Sequence, residues 1–166
     1  LLEFVTISAF GIDGFAFAAE AITGKYFGQK NRKLFIDSVR VSFYWGIGIS
    51  FMFAILFYFF SGFILSMLTN NGDVILKAME YIPWPIIAPI INAVAFIWDG
   101  VYIGSTSTSL MRNTMIISGG IFLFSFYTLP TLYGNHGLWF ALTLFMAARG
   151  IAQTFLFKSS IMDYFK

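Results

Sequence analysis

Asp13 and Glu20 interrupt one long apolar stretch of this sequence, and Asp99 interrupts another. A carboxylic acid in such company can carry a proton or hold a cation, and it needs a reason to be there. An ionisable side chain near the middle of a membrane helix costs about 2.5–3.5 kcal/mol even on a lenient insertion scale. Asp13 and Glu20 are seven residues apart, two helical turns, so they share a stripe with Phe17 and Gly24. The same arithmetic puts Asp99 on a stripe with Asn92 and Ala95. Two helices thus each present a polar seam. At about 1.5 Å per residue, Asp13 lies roughly 16 Å from the inner end of its helix, close to mid-membrane, while Glu20 and Asp99 lie nearer that end. Desolvation at such depth works against the charged form and makes Asp13 a candidate proton carrier. The structural alternative is that these acids accept hydrogen bonds from Asn92 or Thr23, or that one pairs with Arg149.

Other chemistry is thinly represented. His136 is the one histidine, set between Asn135 and Gly137 where turn chemistry accounts for it, and there is no cysteine. A disulfide, a thiolate metal site and thiol catalysis are therefore excluded, a transition-metal site from this chain alone lacks a second histidine, and no nucleophile and base stand in a catalytic pattern. The expectation is not an enzyme, with no cofactor and no transition metal. The run from Ser105 to Ser109 reads as a cap for the helix that follows. Pro89, well inside an apolar stretch that also holds Pro83 and Pro85, removes a backbone hydrogen bond and predicts a kink. Broken helices of this kind can line a cavity together with a polar residue such as Asn92, or simply improve packing. Small residues Gly14, Ala18 and Ala21, and Gly46, Gly48 and Ser50, predict close helix contacts.

The elements that must hold these residues are membrane helices. Of 166 residues 58% are hydrophobic and 11% charged, with a mean hydropathy of +0.80. A soluble chain of this length must cover a large remaining surface with charge, which ten basic and eight acidic residues cannot do. The net charge of +2 is too small for nucleic-acid binding. Spans are expected at about 4–24, 39–68, 81–104, 113–132 and 138–157, forming one bundle over residues 1–166 without a linker. The second is over-long and should tilt or project past the lipid. Lys25, Lys30, Arg32, Lys33 and Arg40, against a single Asp37, mark the first loop as cytoplasmic. Arg112, Lys158 and Lys166 fall on the same side by alternation, and the loops at 69–73 and 133–137 contain no Lys or Arg. The C-terminus is then cytoplasmic. Tyr81, Trp84, Tyr133 and Trp139 suit interface belts. The chain opens with Leu1 inside an apolar stretch, which reads as a fragment.

Four segments together resemble the multidrug and toxic compound extrusion (MATE) family, and its DNA-damage-inducible protein F (DinF) branch in particular. They are 12–20 with Gly24 and Gly28, 98–104, 111–113, and 134–139 with 148–150, and they run in the family's order over nearly the whole chain. The resemblance implies the eighth to twelfth helices of a twelve-helix carrier, part of its second six-helix lobe, with the N-terminal lobe missing. It further implies efflux of amphipathic, often cationic compounds in exchange for protons or sodium ions. In some relatives an acid on the tenth helix belongs to a cation site, and Asp99 matches it, so the resemblance implies a sodium site there as the one possible metal. Ser107 and Leu110 depart from the family pattern, where charged residues are expected.

The reading is thus an all-α integral membrane bundle of five helices, part of a multidrug antiporter of the inner (plasma) membrane. Asp99, Asp13 and Glu20 are the candidates for ion coupling. Asn92, Phe17, Ala95 and Tyr102 are the candidates for the substrate-cavity wall, where a polar seam between apolar walls suits lipophilic cations. The alternatives are a flippase for lipid-linked sugars, which would favour a more basic cavity, and a membrane subunit that does not itself transport.

Overall fold

A computed structural model describes residues 1–157, 161 and 165; Lys158 and Lys166, used above in the charge pattern, lie outside them. Six helices account for almost all of the described chain: α1 (Leu2–Gly28), α2 (Arg32–Leu68), α3 (Gly72–Glu80), α4 (Pro83–Gly104), α5 (Thr108–Tyr133) and α6 (Asn135–Leu156). Five are long and apolar enough to cross a membrane, α3 being the exception.

Local chemistry sets the boundaries. Asn31 starts α2 by accepting the Leu34 amide at 3.1 Å. That cap lets the helix begin seven residues before the expected 39, so Arg32, Lys33 and Arg40 ride its first turns and not a loop. At 37 residues α2 is about 55 Å long, well beyond a hydrocarbon layer of roughly 30 Å, so its charged start can stand outside. The nine-residue α3 has no counterpart in the sequence expectation, because it is too short to give a span signal. Asn71 caps it by accepting from Asp73 and Val74, and Lys77 pairs with Glu80 at 2.7 Å on its polar side. Pro83 opens α4 where no amide donor is needed, and the helix continues through the buried Pro89 as one element. A helix broken at Pro89 is therefore not what forms.

Packing contacts show that α1, α4 and α6 run parallel to one another and antiparallel to α2 and α5. Ala16 faces Gly100 and Gly24 faces Gly104, while Trp84 meets His136 and Trp98 meets Thr154 farther along. A single residue, Gly134 with φ 55°, joins α5 to α6. Gly137 then lies so close to the Leu129 carbonyl that the two helices form a tight hairpin. One apolar core near the basic end gathers Phe35, Val39, Trp98, Val101 and Tyr102. A second at the far end gathers Phe4, Phe57 and Leu65, with Ile75 and Ala78 of α3 packed on it.

The closest approach is α1 on α4. A Cβ on Gly100 would overlap the Ala16 carbonyl, and one on Gly104 would lie 2.5 Å from both the Glu20 carbonyl and Thr23 Oγ1. Gly100 and Gly104 form a GxxxG pair, the spacing that lets membrane helices meet backbone to backbone. The expected small-residue contacts are only partly realised. Gly46 packs on Ile97 and Ser50 is buried, but Gly14 and Gly48 have nothing near them and Ala18 and Ala21 are exposed. Spacing alone does not say which small face meets a neighbour.

Gly100→Ala should cost at least about 1–3 kcal/mol, the usual range for overpacking, and lower the melting temperature in detergent. Gly48→Ala, with open space around it, should change stability by no more than about 0.5 kcal/mol. Equal effects of the two would contradict the α1–α4 contact.

Candidate functional site

The close α1–α4 crossing leaves a cleft beside it of about 160 Å³, lined by Asp13, Ala16, Phe17, Glu20, Phe96, Asp99, Gly100 and Ile103. All three sequence-identified acids therefore meet in one place, though the sequence put them on separate seams. Positions 13, 17 and 20 on α1 and 96, 99 and 103 on α4 follow helical spacing, so each helix contributes one face. Asp13 and Glu20 are partly buried, whereas Phe17 is 69% exposed and forms an open lip. Among the described residues no side chain donates to Asp13 or Glu20. Asp13 and Asp99 line the same cleft from facing helices. No three His, Cys, Asp or Glu side chains among the described residues stand close enough to hold a metal ion.

Asp99 differs from its neighbours because α6 holds it. One carboxylate oxygen pairs with Arg149 Nη2, and the other accepts from Gln153 Nε2 at 2.7 Å. The Asp99 and Arg149 side chains are only 17% and 8% exposed. The same seam continues with Trp98 Nε1 donating to Thr154 Oγ1 at 2.8 Å and the Tyr102 hydroxyl donating to the Gln153 carbonyl at 2.7 Å. Arg149 pairing was one of the sequence alternatives. Gln153 was missed, although its position four residues after Arg149 puts it on the same face of α6.

A second groove of about 250 Å³ lies farther along the same α1–α4 face, bounded also by α6. Leu2, Val5 and Ala9 of α1, Asn92 and Phe96 of α4, and Trp139 and Met146 of α6 line it. Phe96 borders both spaces, so groove and cleft are neighbours along α4. Asn92 thus lies beside the acid cleft and not in it.

Two expected wall residues are elsewhere. Ala95 is fully buried where α4 meets Gly150 of α6, and Tyr102 is fully buried in the core near the basic end. A stripe drawn from Asn92 through Ala95 to Asp99 is broad enough to straddle two faces, and α6 covers one of them. His136 is likewise not a turn residue. It sits in the first turn of α6, where its Nδ1 accepts from Trp84 Nε1 at 3.0 Å and its ring lies 4.6 Å from that of Tyr81. The 105–109 run does not cap by side chain either. Ser107 occupies the cap position of α5 without a capping bond, and its hydroxyl instead donates to the Ser105 carbonyl at 3.2 Å.

Residues 1–128 match the MatE family. The chain is 31% identical over 158 residues to DNA damage-inducible protein F of Escherichia coli (strain K12), covering 95% of this chain and 34% of that protein. It is 30% identical over 145 residues to Protein DETOXIFICATION 44, chloroplastic, and 26% identical over 137 to Protein DETOXIFICATION 42, both of Arabidopsis thaliana. Those alignments cover 84% and 82% of this chain, and 27% of each plant protein. The chain thus spans between about a quarter and a third of the length of these curated relatives. No solved structure matches.

Tyr102→Phe should lower stability by about 1 kcal/mol, the usual net worth of one hydrogen bond, and leave cation binding unchanged. A variant of parental stability with weakened binding would put Tyr102 in the cavity wall after all.

Proposed function

The chain belongs to the MatE family of membrane transporters, and on that footing we propose that it forms part of the translocation wall of a multidrug exporter. In this reading the complete protein expels amphipathic, cationic compounds across the plasma membrane in exchange for protons or sodium ions. The C-terminus faces the cytoplasm, and residues outside this chain supply an N-terminal lobe that closes the cavity. The observation that carries the reading is the convergence of Asp13, Glu20 and Asp99, from two helices, on one open cleft. Its other walls are apolar and aromatic, so a lipophilic cation finds both a charge partner and a surface for its hydrocarbon part. A proton taken up by one of these acids, or a small inorganic ion held at Asp99 with groups from outside this chain, competes with that cation, which is what an antiporter requires. The word detoxification in the names of the plant relatives is in keeping with export.

Expression of the complete protein should lower the accumulation of a fluorescent cationic dye in cells. Asp99→Asn should weaken that efflux by about tenfold or more, the effect of losing a charge-assisted contact of ~1.5–3 kcal/mol. Asp13→Asn should remove its dependence on the proton or sodium gradient. Equal dye accumulation with and without the protein would overturn the reading.

A further inference from the structure

Among the described residues, side-chain partners for the three cleft carboxylates come from α6 alone, as Arg149 and Gln153 on Asp99. Both are deeply buried, Arg149 at 7% and Gln153 at 0% exposure, yet Arg149 Nε and Gln153 Oε1 have no hydrogen-bond partner among the described residues. Buried groups that only tie helices together normally have their donors and acceptors matched. Here one donor and one acceptor are left over, on residues one turn apart on the same face of α6. Gln153 Oε1 is therefore an acceptor within the local reach of the Arg149 guanidinium, should that group leave Asp99.

We propose that Arg149 is a tethered counter-ion of Asp99 that an incoming organic cation displaces, with Gln153 Oε1 accepting the released guanidinium, so that loading the α1–α4 cleft loosens the α4–α6 seam. The proposal rests on the transport reading above and deepens it. Charge competition supplies the reason. A cation entering the cleft meets Asp13 and Glu20, which have no side-chain donors among the described residues, and an Asp99 already paired, so engaging the Asp99 oxygen that holds Arg149 requires the guanidinium to move. Removing one arm of a buried pair leaves the other charge uncompensated, which couples occupancy of Asp99 to the helix that carries Arg149. Across the seam there would remain the Gln153 bond to Asp99 and the two neutral bonds, from Trp98 to Thr154 and from Tyr102 to the Gln153 carbonyl, with the ion pair gone.

The test uses the complete protein in nanodiscs, with tetraphenylphosphonium as the probe and its dissociation constant and thermal stability measured together. Arg149→Gln, which removes the internal competitor, should bind the probe about tenfold tighter than the parent, within the usual range of coupling between sites. The double variant Asp99→Asn/Arg149→Gln should lose that gain. A purely structural role for Arg149 predicts lower stability with unchanged or weaker binding, and that result overturns the proposal. Should Arg149→Gln fail to fold, Arg149→Met decides: it also removes the competing charge and is a good helix former, so tighter binding supports the proposal and equal or weaker binding overturns it. If the parent itself does not bind the probe, the exporter reading fails and this inference with it; if the parent binds and neither Arg149 variant binds tighter, only this inference fails.

Discussion

The backbone contact between α1 and α4 fixes the geometry of everything around it. Gly100 and Gly104 bring α4 onto the carbonyl face of α1 at Ala16 and Glu20, and no larger side chain fits there. Two helices held that closely cannot rotate freely about their axes, so the residues beside the contact have set directions. Asp13, Phe17 and Glu20 on one side, and Phe96, Asp99 and Ile103 on the other, become the walls of a single cleft. The polar chemistry of the chain is therefore positioned by its smallest residues.

Electrostatics then divides the acids into two kinds. Asp99 is compensated inside the bundle by Arg149 and Gln153, which offsets the cost of placing a charge away from water. Asp13 and Glu20 receive no such donors among the described residues and are the groups that face the opening. On the reading proposed above, such a cleft attracts positive charge and has one position, Asp99, at which that charge is contested. The apolar cores at either end, around Phe35 and Tyr102 and around Phe4 and Phe57, hold the helices in place on both sides of it.

The sequence disclosed the helices more fully than their faces. Continuous apolar stretches made all five spans legible, since a membrane helix has to satisfy its backbone internally whatever its neighbours are. Boundaries moved where a cap such as Asn31 carried a helix beyond the lipid, and α3 escaped notice because nine residues give no span signal. The acids at 13, 20 and 99 were legible as anomalies, because charge in an apolar run is costly wherever it points. Their convergence was not, since it depends on how α1 and α4 are rotated about the glycine contact. For the same reason Ala95 and Tyr102 were drawn onto the cavity stripe when α6 covers them. Gln153, an amide in a helix with polar neighbours, gave no signal until its partner was known.

The central claim is that the three carboxylates line a water-reachable cleft between α1 and α4 that a cation can occupy. The chain contains no cysteine, so a single thiol placed at Ile103 in an otherwise cysteine-free protein reports on that cleft directly. The account predicts that a charged, water-soluble thiol reagent modifies Ile103→Cys much faster than a thiol at the exposed Phe124 of α5, and that tetraphenylphosphonium slows only the former. Equal rates at the two positions, or modification at 103 indifferent to the cation, would contradict it.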